Sequence, residues 1–166
     1  MTQEAFINVL DRKDYSYEIE GDRIIVTHKL KVDLKSLTSL PSGVVFRNRG
    51  YVSLSKLTSI PSGVEFNNGE SVYLGSLTSL PPGVEFKNVG DVSLSKLTSL
   101  PPGVVFNNGE SVYLRSLTSI SPGVEFKNEG DVLFGVDGLF HKWESNIEGI
   151  DAKRLLNVMI KQGVFI

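Results

Sequence analysis

The chain has no cysteine, and its 166 residues include a single tryptophan and only two histidines. A disulfide framework, a thiolate nucleophile and a Cys-ligated metal are therefore excluded, and the sequence fits a reducing compartment. No apolar run approaches the roughly 18 residues of a membrane span, and the first ten residues carry Glu4 without the basic and apolar regions of a secretory leader. A cytoplasmic protein with no membrane partner is expected. Charge of one sign is missing as well. Seventeen Lys and Arg against nineteen Asp and Glu leave a net charge of −2, so no global field draws the chain to nucleic acid or anionic lipid. Sixteen glycines and seven prolines are an ordinary share, below the level of a low-complexity chain.

That ordinary composition conceals strict order. Rows of twenty residues starting at Val32, Val52, Val72, Val92 and Val112 align without insertion or deletion, each following V-x-L-x-x-L-T-S-L/I-x-x-G-V-x-F-x-N. All seven prolines and 11 of the 16 glycines fall within these rows, and a sixth row begins at Val132 and decays after Phe134. Self-similarity at a fixed period marks a solenoid, in which each repeat buries its apolar face only by stacking on its neighbours. Val44, Phe46, Asn48, Gly50, Val52 and Leu54 alternate at period two, which is strand spacing. Two short strands, Val-x-Phe and Val-x-Leu, then flank an Asn/Gly corner. Leu57 and Ile60 continue inward around an arc closed by Pro61 and Gly63. Six inward positions per coil, Val32, Leu34, Leu37, Leu40, Val44 and Phe46 in the first, predict a continuous apolar column roughly 24 Å long at about 4.8 Å per coil.

Asn48, Asn68, Asn88, Asn108 and Asn128 recur at the corner, where stacked amides are expected to bond to one another and to the backbone rather than to a ligand. The corner also alternates with a period of forty, Asn68-Gly69-Glu70 and Asn108-Gly109-Glu110 against Asn88-Val89-Gly90 and Asn128-Glu129-Gly130. A pair of coils is therefore a candidate for the true unit.

The segment Leu77-Thr-Ser-Leu-Pro-Pro-Gly-Val84, with V-x-L before it, resembles leucine-rich repeats, and the likeness covers residues 32–131. Arrays this short are similar to those of uncharacterised bacterial and bacteriophage proteins. The resemblance implies protein recognition through an exposed repeat face, in a bacterial or phage-infected cell. The Asn that the family places before this segment is displaced to a position after Phe, which favours a straighter, two-sheet β-solenoid over a horseshoe. The expected fold is thus mainly β, one structural domain: a five-coil, leucine-rich-repeat-like solenoid at 32–131 between two caps. Residues 1–31 are read as a Thr2-capped helix with Phe6, Val9 and Leu10 on one face, followed by a hairpin. In it Tyr15, Tyr17 and Ile19 alternate into Glu20-Gly21-Asp22, and Ile24, Val26, His28 and Leu30 alternate out into the first coil. Residues 132–166 are read as a partial sixth coil and a helical cap near Asp151 to Gln162, whose Lys153 and Arg154 offer an alternative docking role.

Little here suggests chemistry. His28 and His141 belong to opposite ends of the array, and no phosphate-binding G-x-x-x-x-G-K-[ST] occurs. No catalytic residue, metal or cofactor is expected; an enzyme would have to use a pocket around His141, Trp143 and Glu144 in the C-terminal cap. The outward positions say more. Beside Val-x-Leu run Asp33, Ser53, Tyr73, Ser93 and Tyr113, flanked by Lys35, Ser55, Gly75, Ser95 and Arg115 and then by Ser36, Lys56, Ser76, Lys96 and Ser116. Beside Val-x-Phe run Val45, Glu65, Glu85, Val105 and Glu125, with Arg47, Asn67, Lys87, Asn107 and Lys127. The first face has Tyr, Ser and cations and, apart from Asp33, no acid; the second is a mixed charge lattice.

Tyrosines with adaptable serines and scattered cations resemble protein-recognition surfaces. The reading for function is a non-catalytic protein-binding scaffold that uses Tyr73, Tyr113, Arg115, Lys56, Lys96, Ser53 and Ser93, as a monomer or a homodimer. The alternative is a bacteriophage counter-defence or regulatory inhibitor that binds a nucleic-acid-handling host enzyme through the acidic corner of Glu70, Asp91, Glu110 and Asp131. Direct nucleic-acid binding has little behind it, since the array itself carries 8 basic and 9 acidic residues. A Thr ladder at 38, 58, 78, 98 and 118 has the regularity of an ice-binding face, but Lys56 and Lys96 interrupt it.

Overall fold

The computed structural model describes residues 1–134. Expectations for the C-terminal cap, including the helix and the environment of His141, Trp143 and Glu144, lie outside the described residues. Thr2 accepts a hydrogen bond from the Ala5 amide and caps helix α1 (Gln3–Arg12), which drives Phe6 and Leu10 fully into the core. An antiparallel hairpin follows, β1 (Tyr17–Glu20) and β2 (Arg23–Val26). The remaining strands are β3 (Val32–Asp33), β4 (Val44–Phe46), β5 (Val52–Ser53), β6 (Glu65–Phe66), β7 (Val72–Tyr73), β8 (Glu85–Phe86), β9 (Val92–Ser93), β10 (Ser99–Leu100), β11 (Val105–Phe106), β12 (Val112–Leu114), β13 (Ser119–Ile120), β14 (Glu125–Phe126) and β15 (Val132–Phe134).

These strands stack coil on coil into a β-solenoid. A seven-stranded sheet runs in the order β1-β2-β4-β6-β8-β11-β14, and a six-stranded sheet in the order β15-β12-β9-β7-β5-β3. Between successive coils the pairing is parallel and offset by twenty residues, as in Val52↔Val72 and Phe66↔Phe86. The register begins earlier than the sequence motif. Ile24, Ile25 and Val26 pair with Val44, Val45 and Phe46, so β2 already occupies the Val-x-Phe position of a coil although its own sequence is Ile-Ile-Val. At the other end Val132, Leu133 and Phe134 pair with Val112, Tyr113 and Leu114, which extends the second sheet by one strand.

All six expected inward positions are buried in every one of the five repeats. The L-x-x-L spacing has a local cause, because the second leucine of each pair donates its amide to the carbonyl of the first (Leu57 to Leu54, Leu77 to Leu74, Leu97 to Leu94) and both side chains point inward. Phe46, Phe66, Phe86, Phe106 and Phe126 form one column with ring centroids 5.1–5.5 Å apart and nearly parallel planes. The turn before each Val-x-Phe strand needs a positive φ at its third residue, and Gly43, Gly63, Gly83, Gly103 and Gly123 supply it at φ 73° to 81°.

Four expectations change. A third side exists: β10 and β13 pair in parallel, and Ser59 and Ser79 form a matching bridge one coil pair earlier. This ribbon stays short because proline follows it in most coils and offers no N–H; where Ser121 replaces proline, its amide donates to Leu100 and the ladder continues. Val45, expected outward, is fully buried, as is Ile25. On that side Arg23 Nη2 reaches from β2 to within 2.6 Å of Glu65 Oε1 on β6, and β4 lies between those strands, so the arginine stem spans the Val45 strand. The alternation of β2 ends at Val26, leaving Leu30 at 68% exposure on the corner, and Ile19 on edge strand β1 is equally outward at 61%.

The corner amides are the fourth. Each Asn donates its Nδ2 to three carbonyls, in its own coil and in the preceding one; Asn88 reaches Glu70, Gly90 and Asp91 at 3.2, 2.7 and 3.2 Å. The amide oxygens of Asn48, Asn68, Asn88 and Asn108 are buried without a donor among the described residues, so the amides do not bond to one another. Backbone carbonyls carry the ladder instead.

Candidate functional site

The Val-x-Leu strands place residues of odd number on the outside of the six-stranded sheet, and coils of two kinds alternate there. Coils two and four present Ser53-x-Ser55-Lys56 and Ser93-x-Ser95-Lys96; coils three and five present Tyr73-x-Gly75-Ser76 and Tyr113-x-Arg115-Ser116. Tyr73 pairs with Ser53 on one side and Ser93 on the other, and Tyr113 pairs with Ser93 and Leu133. Tyr73 therefore stands as a crest between two serines, and Tyr113 stands between Ser93 and Leu133. Two strand spacings separate Tyr73 from Tyr113, roughly 9.6 Å, and the same distance separates Lys56 from Lys96.

Tyr73 is 41% exposed and Tyr113 half-buried. A third aromatic, absent from the residues expected on this face, joins them. The Tyr51 ring meets Tyr73 edge-on at 5.7 Å between centroids, and Lys31 Nζ stands 5.8 Å from the Tyr51 ring. Its signal was present in the sequence, since position 51 has the same parity as 53 and 55 and lies immediately before Val52. Ser53 is a correction in the other direction. It is only 9% exposed, lying between Asp33 and Tyr73 and 3.1 Å along the strand from Ser55 Oγ. Ser93 remains half-exposed, 3.4 Å from Ser95 Oγ, and floors the trough between Tyr73 and Tyr113.

The electrostatics divide this face. At its N-terminal end Lys35 Nζ lies 3.0 Å from Asp33 Oδ2. Partial burial pushes the Asp33 carboxyl up, but hydrogen bonds from the Lys35 side chain and amide, with the lysine charge, outweigh it and hold the carboxyl below its usual range. The Lys35 ammonium is raised, chiefly by its hydrogen bond to Asp33. Further along, Lys56, Lys96 and Arg115 are exposed and make no ion pair among the described residues.

The acidic corner is ordered by glycine. A Cβ at Gly69 or Gly109 would collide with the carbonyl of Arg49 or Val89, and one at Gly50, Gly90 or Gly130 would lie 2.6–2.7 Å from the backbone of the preceding coil. Side chain and glycine must therefore alternate at both corner positions, a checkerboard that keeps Glu70 and Glu110 two coils apart. Asp91 is part of the scaffold, since its Oδ1 accepts the Ser111 amide at 3.0 Å, while Ser71 and Ser111 hydroxyls accept the amides of Asp91 and Asp131. Glu70, Glu110 and Asp131 are exposed. The Thr ladder is likewise partly engaged, Thr78 and Thr118 donating their hydroxyls to the carbonyls of Thr58 and Thr98.

His28 sits in the N-terminal cap, 4.8 Å from the Tyr15 ring, with Nδ1 3.4 Å from the Ser16 amide that donates to it. Among the described residues, no three His, Asp or Glu side chains gather as a metal site, and no helix is long and apolar enough to cross a membrane. No family model, curated protein or solved structure matches this chain.

Proposed function

We propose that this protein is a non-catalytic protein-binding scaffold, and that its partner docks on the outer face of the six-stranded sheet around Tyr73, Tyr113 and Arg115. The observation that carries this reading is that Tyr73 and Tyr113 share one face with Lys56, Lys96 and Arg115, cations that make no ion pair among the described residues. Tyrosine supplies large contact area at low entropic cost, and arginine supplies a planar donor fork; both are enriched among the residues that dominate binding energy. The rigid stack beneath them means little ordering is required on docking, which favours affinity. Tyr51 extends the proposed surface and Ser93 floors it, whereas Ser53 lies too deep to be a primary contact.

The test is a triple variant, Tyr73→Ala, Tyr113→Ala and Arg115→Ala. It is expected to keep its circular dichroism spectrum and melting behaviour while losing capture of the partner. Undiminished capture by a folded triple variant would move the binding site off this face.

A further inference from the structure

The two-coil period of the Tyr face narrows the chemistry of its partner. This inference rests on the protein-binding reading and names the ligand class. Crests at Tyr73 and Tyr113 recur at roughly 9.6 Å along the stacking axis, as do the exposed ammonium groups of Lys56 and Lys96. A peptide lying along that axis must return the same side-chain chemistry at the same interval. An extended β-strand repeats a face every two residues, about 6.7 Å, and an α-helix every turn, about 5.4 Å; neither interval nor its double falls closer than about 1 Å to the crest spacing. A polyproline II helix repeats a face every three residues, about 9.3 Å, and so stays within a few tenths of an ångström of the crests over one period.

The surface chemistry points the same way. Polyproline II segments dock between aromatic rings because the pyrrolidine presents a rigid apolar wedge at little entropic cost. Here only the short side chains of Ser93 and Ser95 stand on the coil between Tyr73 and Tyr113, where such a wedge would lie. Beside it the lysine row lies three residues further along each coil, staggered by one coil from the tyrosines. Lys56, Lys96 and Arg115 lack acids among the described residues, so the complementary row on the ligand is anionic. The flexible lysine stems absorb the difference between a one-coil stagger of about 4.8 Å and the 3.1 Å rise of the peptide.

We propose that this face binds an acidic, proline-rich peptide in the polyproline II conformation, laid along the solenoid axis. Its prolines pack between Tyr73 and Tyr113, and a carboxylate at every third residue meets Lys56 and Lys96. The opposite face is a poorer match, since Lys87 and Lys127 there are paired with Glu85 and Glu125 in their own coils and only Arg47 of that row makes no ion pair among the described residues.

The experiment is fluorescence anisotropy of labelled synthetic peptides against the full chain. A (Pro-Pro-Glu)5 peptide is expected to bind saturably, and a peptide of the same composition with glutamates at irregular spacing to bind about tenfold more weakly. Lys56→Gln with Lys96→Gln, and separately Tyr73→Ala with Tyr113→Ala, should each weaken the regular peptide about tenfold, whereas Lys87→Gln should not. Thermal melts verify that each variant is folded. Equal binding of regular and irregular peptides would overturn the period argument. Binding of polygalacturonate or an oligo(dT) strand in place of the peptide would overturn the peptide assignment. Should no peptide bind while the triple alanine variant still loses its protein partner, the polyproline assignment falls and the scaffold reading stands; should the triple variant keep its partner, both fall.

Discussion

The two outer faces of the solenoid share one core and one twenty-residue register, and differ in which side chains they turn outward and in how those side chains pair their charges. On the seven-stranded sheet three cations are neutralised close to home: Lys87 pairs with Glu85 and Lys127 with Glu125 two residues away in the same coil, and Arg23 with Glu65 across an intervening strand, while Arg47 is exposed without an ion pair among the described residues. On the six-stranded sheet, among the described residues, only Lys35 is treated this way, by Asp33 at the N-terminal end. Beyond it the face carries tyrosines, serines and cations that make no ion pair among the described residues. The backbone demands neither pattern. A self-neutralised lattice keeps a repetitive sheet soluble, whereas unspent charge beside exposed aromatic rings leaves interactions to be completed by another molecule.

The largest test of this contrast strikes what the faces share. Phe86→Ala removes the middle ring of a five-membered column and leaves a cavity between Phe66 and Phe106, so it should cost about 3–5 kcal/mol in chemical denaturation. Both sheets should lose stability together; loss confined to the seven-stranded sheet in hydrogen exchange would show that the faces are separate units. A smaller effect distinguishes the corner from the face. Gly109→Ala drives a methyl into the Val89 carbonyl and should cost about 1–3 kcal/mol, while Gly75→Ala, with open space around its Cβ, should stay within about 0.5 kcal/mol. Equal costs at the two sites would contradict the checkerboard. The smallest effect lies in the Lys35–Asp33 ion pair on the tyrosine face. Asp33 is held below the ordinary carboxyl value, so its contribution is present above about pH 4 and is lost as pH falls through its lower folded value. Lys35 is raised, so its contribution is present below about pH 10 and is lost as pH climbs through its higher folded value. In a carbon-detected titration, Lys35→Met should move the Asp33 midpoint upward; an unmoved midpoint would mean the pair does not form in solution.

The fold was largely legible because a solenoid writes its core as a period. Val52, Leu54, Leu57, Ile60, Val64 and Phe66 are recognisable from one row and verified by the next, and their burial follows from stacking alone. The corner was legible for the same reason, since a glycine alternating between two positions every twenty residues records a steric conflict between adjacent coils. What escaped the sequence depends on neighbours in the third dimension. Val45 looks like any other outward strand residue until Arg23, twenty-two positions earlier, is seen to reach across it. Ile24-Ile25-Val26 lacks the repeat consensus yet pairs as though it had it, because parallel pairing asks for extended backbone and apolar inward residues rather than a particular Val or Phe. The third side was hidden by brevity, a two-residue ladder that proline cuts short.

On the tyrosine face, residue types and alternation were readable, and the depth of each side chain was not. Ser53 is buried while Ser93, in the same Val-Ser-Leu-Ser-Lys segment and likewise paired with Tyr73, stays half-exposed. Tyr51 precedes the Val-x-Leu motif, so the motif itself does not mark it, yet its ring packs against that of Tyr73.

The most direct test of the central claim places one photo-crosslinking residue on each face, at Ser93 between the tyrosine crests and at Asn107 among the paired charges of the opposite sheet. Irradiation in the presence of the partner should give an adduct from position 93 and none from position 107. An adduct from 107 alone, or equal yields from both, would contradict the assignment of binding to the tyrosine face.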